Sequence, residues 1–250
     1  MPNHDGPVRP DHASDEGVER ILVVTAHPDD VDFGTAGSVA TWVSAGIEVT
    51  YCIVTDGDAG GDDRSMPRTQ MARIRREEQT AAALQVGVTD LRFLGYPDGR
   101  VVADLGLRKD ISRVIRQVRP QRVVAQSPDR VWSRIYASHP DHLAAGDATV
   151  SAVYPDARNP FAHRELLDAE DLEPWTVPQL WLMGREDADV FVDTTAVIDK
   201  KVSALLSHAS QMKNPDGMDA MIRGWGAMNA KQGGLAEGRL AEIFRAIDTR

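Results

Sequence analysis

Apolar and polar positions alternate along the chain in two rhythms. Short β-branched and apolar runs fall at residues 21–26, 47–55, 91–94 and 122–126. Their length and composition predict strands buried on both faces of a sheet. Between them lie stretches with helical spacing, at 33–42, 68–86 and 105–118. The second carries charge on one face and alanines on the other, and Gly87 stands where a C-cap belongs. Gly34 and Gly37 suit a helix start packed closely on the sheet. Alternating strands and helices imply parallel βαβ units. The predicted fold is therefore α/β: a Rossmann-like, doubly wound, mostly parallel sheet with helices on both faces. In the order 3-2-1-4 the topological switch lies between the first and fourth strands, where ligands bind outside the strand ends. The loop after the fourth strand, 127–141, is long enough to suggest a functional segment. An alanine-rich helix is expected at 143–153.

The last third is less regular. Strands are expected at 179–183 and 190–194, a helix at 196–207, and an amphipathic terminal helix at 234–247. No second core is visible, only a small C-terminal cap on the sheet. The predicted organisation is a mobile tail over 1–18, which holds His4 and His12, and a single domain over 19–250. Its core is 19–153, with C-terminal strands and helices in 154–250.

Charge changes the picture in one respect. A formal net charge of -10 argues against a nucleic-acid partner, because phosphate backbones are bound by clustered Lys and Arg. The one cysteine, Cys52, lies in an apolar run and excludes an intrachain disulfide. With no stretch apolar enough to span a bilayer and no signal-peptide core, a cytoplasmic protein without a membrane span is expected.

Candidate chemistry sits at two strand ends. The first run stops at Ala26-His27-Pro28-Asp29-Asp30, and the long loop ends in Ser138-His139-Pro140-Asp141-His142. Either motif alone also reads as a polar turn. Together they flank the switch point and offer His27, Asp30 and His142 as three ligands. Two imidazoles and a carboxylate leave a coordination position open, as in catalytic zinc sites. Asp29 and His139 then remain beside the metal as acid–base candidates. A dinucleotide site has no support, since G-x-G-x-x-G is absent. An acidic Mg²⁺ pair of Asp29 and Asp30 is the competing reading, but it gives the three histidines no role. A third reading is a non-catalytic carbohydrate-binding protein, which would have no use for Asp29.

These motifs resemble those of the LmbE-like or PIG-L zinc-dependent N-deacetylases. That family includes deacetylases of N-acetylglucosaminyl-phosphatidylinositol and of mycothiol and bacillithiol synthesis. The resemblance rests on A-H-P-D-D (26–30) and H-P-D-H (139–142). Weaker echoes are T-D-G (55–57), R-x-x-E (75–78), Y-P-D-G (96–99) and H-A-S-Q (208–211). It implies hydrolysis of an N-acetyl or other N-acyl group from an amino sugar such as an N-acetylglucosaminyl conjugate. It further implies one Zn²⁺, or Fe²⁺ in its place, on His27, Asp30 and His142, with Asp29 as general base. His139 would protonate the leaving amine or stabilise the oxyanion, oriented by Asp141. Arg75, Asp98 and His208 would contact the substrate. The chain departs from the family at Val31-Asp32, where Glu commonly follows the two aspartates, and at Ala36-Gly37, where Gly-Gly is common. Tyr136 is the nearest match to a tyrosine that some members place before the second motif. These departures bear on the substrate, and an amidase acting on a mycothiol-conjugate-like amide is the alternative. Trp132, Trp175, Trp181 and Trp225 suit either core packing or a sugar platform. A homo-oligomer is left open.

Overall fold

In a computed structural model that describes residues 14–212 and 214–250, β1 (Arg20–Thr25) lies at the centre of a sheet. It pairs in parallel with β2 (Glu48–Thr55) on one side and β4 (Arg122–Gln126) on the other. The sheet continues outward to β3 (Asp90–Tyr96) and, past β4, to β5 (Gln179–Met183), both parallel. The antiparallel strands β6 (Val190–Asp193) and β7 (Ala241–Asp248) complete the order β3-β2-β1-β4-β5-β7-β6. The expected 3-2-1-4 arrangement and its switch point are present.

Every residue of β1 from Ile21 to Thr25 is buried, because helices cover both faces. Ile21 and Val23 join Trp42, Tyr51, Ile53, Trp181 and Phe244 in one apolar layer. Leu22 and Val24 point the other way, into a layer with Leu107, Ile111, Ile115 and Val123. That division is the period of two in an extended chain. The helices are α1 (Asp30–Ser44), α2 (Arg68–Gln85), α3 (Leu105–Val118), α4 (Pro140–Ser151), the short α5 (Arg164–Asp168), α6 (Ile198–Leu206) and α7 (Met218–Gln232). A Cβ on Gly34 would sit 2.6 Å from the Met183 sulfur, and one on Gly37 would sit 2.7 Å from Thr194 Cγ2. Those two glycines do let α1 lie close to the sheet.

Side chains from α6 and β7 bond into the second turn of α1. Lys201 Nζ donates to the Phe33 carbonyl at 2.7 Å, while the Glu242 carboxylate accepts from Gly37 and Ser38 N–H at 3.0 and 2.7 Å. Lys201 and Glu242 also pair with each other in the interior. This buried pair ties α1 to α6 and β7.

Two expectations need correction. The amphipathic terminal helix placed at 234–247 is a turn followed by β7. Gly234 and Gly238 take φ of +70° and +82°, which a helix does not permit, and the following residues pair between β5 and β6. The apolar spacing of Leu240, Ile243, Phe244 and Ile247 fits a helix face, but pairing on both edges decides for a strand. Meanwhile α7 lies where no helix was expected. The predicted tail over 1–18 falls partly outside the described residues, at 1–13. Within 14–18 the chain is docked: Val18 is buried, and Asp15 pairs with Arg122 at 2.7 Å. Cys52 is buried in β2, where burial pushes its thiol up to about 12. Among the described residues no helix is long and apolar enough to cross a membrane.

Candidate active site

The site is built where β1 ends. Ala26 is tied across the switch point, its N–H donating to Gln126 Oε1 at 2.9 Å and its carbonyl accepting from Thr55 N–H at 2.8 Å. Beyond it the chain turns sharply through Pro28 and Asp29 into α1. Asp29 is the N-cap, with φ 88° and ψ −28°, and its carbonyl accepts from Asp32 and Phe33 N–H. This left-handed conformation is sparsely populated by non-glycine residues. Its effect is to fold Asp30 back onto His27, whose backbone N–H donates to Asp30 Oδ2 at 2.7 Å.

The second motif opens α4. Pro140 occupies the first turn, where its missing N–H costs nothing. The N-cap is His139, whose Nδ1 accepts the Asp141 N–H at 3.2 Å. One turn on, His142 reaches the first motif. Its Nε2 lies 3.2 Å from His27 Nδ1 and 3.0 Å from Asp30 Oδ1, and His27 Nδ1 lies 3.2 Å from Asp30 Oδ2. Donors at about 2.0–2.1 Å from a tetrahedral zinc stand about 3.3 Å apart. The two nitrogens and the Asp30 carboxylate are thus spaced as donors to one metal ion are.

The far nitrogen of the same ring supports that fit. His27 Nε2 lies 3.0 Å from Asp98 Oδ1 and 3.2 Å from Asp141 Oδ2. A metal-ligating histidine ordinarily gives its other N–H to a carboxylate, which fixes the tautomer and aims the ring. His139 stands edge-on to His27, with ring centroids 4.9 Å apart. It is exposed, whereas His27 is buried and His142 partly so. His27, Asp98 and Asp141 form a second candidate metal cluster, and His27, His139 and His142 a further one.

The electrostatics are those of crowded carboxylates. Burial lowers the His27 pKa, but hydrogen bonds to Asp141, Asp30 and Asp98 outweigh it and carry the value up to about 12. Burial raises Asp30, yet the charges and hydrogen bonds of His142 and His27 hold it well below the usual range. Asp29 is pushed up to about 6, first by burial and then by Asp30, against the pull of Arg75. His139 is lowered by desolvation and by the neighbouring His27 and His142. Asp29, Asp30, Asp98 and Asp141 thus concentrate negative charge at one point, which favours a cation there.

The remaining expected residues are all present, but several face inward. Arg75 is buried and committed to the Asp29 carboxylate at 2.9 Å, the Gly57 carbonyl at 3.2 Å and the Pro28 carbonyl. The glycines of the 56–63 loop make room for it. A Cβ on Gly57 would lie 2.3 Å from Arg75 Nη1, and one on Gly60 2.7 Å from it. Asp98 is buried, and besides His27 it accepts from Ala59 N–H at 3.2 Å. His208, expected at the substrate, is wholly buried with Nε2 2.8 Å from Asp32 Oδ2, so it meets protein rather than solvent. The expected contact between the Asp141 carboxylate and the His139 ring is not formed. That carboxylate is taken by His27 and by the Gly99 and Val101 N–H groups at 2.7 and 3.2 Å. Trp181 is core, while Trp132, in the loop before the second motif, is 79% exposed.

Sequence reasoning missed Gln79. Its Oε1 accepts the Asp29 N–H at 2.8 Å, and its Nε2 donates to Asp32 Oδ2 at 2.9 Å. A signal existed: Gln79 shares the buried face of α2 with Met71, Arg75 and Ala82, where a polar residue needs a partner.

The structure is similar to that of N,N'-diacetylchitobiose deacetylase from Pyrococcus horikoshii complexed with its inhibitor MPG. The TM-score is 0.85 at 27% identity, over 94% of this chain and 85% of that one. In sequence it is 30% identical over 194 residues to diacetylchitobiose deacetylase of Thermococcus kodakarensis, covering 78% of this chain and 70% of the relative. It is 32% identical over 196 residues to the probable N-acetyl-alpha-D-glucosaminyl L-malate deacetylase 2 of Bacillus cereus, covering 76% and 83%. Fold, site and relatives together define an amidohydrolase of the deacetylase type. Within that class the chain belongs to the PIG-L family, GlcNAc-PI de-N-acetylase, which it matches over residues 22–153.

Proposed function

We propose that the protein is a metal-dependent N-deacetylase that removes the N-acetyl group from an N-acetylglucosaminyl conjugate. The observation that carries this reading is the convergence of His27 Nδ1, His142 Nε2 and the Asp30 carboxylate within 3.2 Å, with Asp29 beside them. Those three residues hold the metal, and their mixed nitrogen and oxygen donors suit zinc, with ferrous iron the alternative. When bound, the ion supplies Lewis acidity toward the acyl oxygen and makes water more acidic. Asp29, next in sequence to a ligand, takes the proton from the attacking water and returns it to the departing amine. His139 carries its proton on Nε2, because Nδ1 accepts the Asp141 N–H. It is then a neutral donor, suited to hydrogen-bond the developing oxyanion. In this reading Arg75, Asp98 and Asp141 act as supports of the base and of His27. Relatives named as deacetylases of diacetylchitobiose and of N-acetylglucosaminyl malate support the amino-sugar class.

The test measures metal content and amine release together, with N-acetylglucosamine and N,N'-diacetylchitobiose as probes. Asp30→Ala is expected to lose metal and activity at once. Asp29→Asn should retain the metal yet lose on the order of 10²–10⁴ in kcat, the usual contribution of a general base. Activity that neither depends on zinc or iron nor falls in Asp29→Asn would overturn the mechanism.

A further inference from the structure

The turn that carries Asp29 is held from behind. Asp29 keeps its left-handed backbone at φ 88°. Such a conformation is sparsely populated by non-glycine residues and persists only where surrounding contacts determine it. One such contact is the Asp29 N–H to Gln79 Oε1, at 2.8 Å. Gln79 is wholly buried in α2, and its amide can face only one way. The oxygen meets an N–H, and the nitrogen meets the Asp32 carboxylate at 2.9 Å. Turning the amide over would set donor against donor and oxygen against carboxylate. Asp32 is also buried, and the same oxygen receives His208 Nε2 at 2.8 Å. A buried relay thus runs from His208, just past α6, through Asp32 and Gln79 to the backbone of Asp29.

We propose that Gln79 is a positioning residue for the deacetylase reaction, locking the backbone of Asp29, with Asp32 and His208 fixing the orientation of its amide. This rests on the reading of Asp29 as the general base. It gives His208 and Asp32 a shared purpose without substrate contact. Gln79 does not touch Arg75's bonds to the Asp29 carboxylate, so the two residues restrain different parts of the same base: Arg75 its charge, Gln79 its main chain.

The test uses the zinc-loaded enzyme with N,N'-diacetylchitobiose, together with hydrogen exchange of the apo chain. Gln79→Met preserves length and removes both hydrogen bonds. It is expected to exchange the Asp29 amide faster, to keep zinc content and KM, and to lose about 10²-fold in kcat, the scale of a small misplacement of a reacting group. Gln79→Glu sets a second carboxylate against Asp32 and should be as slow. Adding Asp32→Asn to Gln79→Glu restores a donor opposite an acceptor once the His208 ring proton moves from Nε2 to Nδ1, so that Nε2 accepts from the new amide. The pair should recover at least part of the rate, even if Gln79→Met proves too unstable to assay. In an Asp29→Asn background Gln79→Met should cost little further kcat. The inference is overturned if Asp29→Asn is slow while Gln79→Met keeps a normal kcat, or if the paired variant is no faster than Gln79→Glu alone. A near-normal rate in Asp29→Asn is a different failure, that of the general base itself.

Discussion

His27 has one N–H to give on its far side and two carboxylates to receive it. Asp98 Oδ1 is 3.0 Å from Nε2 and Asp141 Oδ2 is 3.2 Å from it. Removing an outer partner of a metal-ligating histidine typically costs about 10–100-fold in metal affinity. Because the proton is shared, neither single loss leaves it unpaired. Asp98→Asn should weaken zinc binding by about tenfold, at the low end of that range. Asp98→Asn combined with Asp141→Asn leaves no charged acceptor, and each new amide can offer an N–H to Nε2. That drives the ring proton toward Nδ1, the nitrogen proposed to hold the metal. The double variant should therefore lose more than the two singles predict together, by about 0.5–3 kcal/mol of coupling.

The two carboxylates differ in a second way. Asp141 also accepts from Gly99 and Val101 N–H, whereas Asp98 accepts, besides His27, from the Ala59 N–H. An asparagine at 141 must turn its amide against one of those donors, costing about 1–3 kcal/mol for the unsatisfied group. At about 2–4 °C per kcal/mol in a domain of this size, Asp141→Asn should melt visibly lower than Asp98→Asn, metal or no metal. Zinc affinity by competition with a chromophoric chelator, and melting of the apo proteins, measure the two effects separately. Strict additivity of the singles in zinc affinity would refute the shared proton, and equal melting temperatures would refute the separate structural role of Asp141.

Two further outcomes follow from the packing. Lys201→Met leaves Glu242 buried without its partner, and should destabilise by about 3–5 kcal/mol, with Glu242→Gln on the same background recovering part of it in denaturant titrations; an unchanged midpoint would show that the pair is not what holds α1. Gly57→Ala adds a Cβ 2.3 Å from Arg75 Nη1 at φ +62°, so it should lower both stability and kcat. Gly46→Ala, at φ +87° with nothing within 4 Å, is the control and should cost only the backbone term of about 1–2 kcal/mol, leaving kcat alone. Equal kcat in the two variants would mean that Arg75 tolerates displacement.

What was legible in the chain was whatever a short window carries. The first four strands, their order and the switch point follow from buried runs separated by helical spacing, and the structure has them. The metal-type donors were legible because His27 and Asp30 lie three residues apart, as do His139 and His142, and each pair needs only one turn to converge. The terminal strand was misread because β7 is paired on both edges, a fact about β5 and β6 that its own apolar spacing does not contain; only Gly234 and Gly238 argued against a helix. The supports of the site were hidden for the same reason. Asp98 and Asp141 meet on His27 from two other strand ends, and His208 meets Asp32 across 176 residues. Asp32 shows what this means for reading such chains. It stands at one of the positions where this sequence departs from its family, which invites a substrate explanation, yet it is buried and bonded to Gln79 and His208. A departure beside such a motif can therefore be a buried position with partners inside the protein rather than a substrate contact, and here those partners are Gln79 and His208.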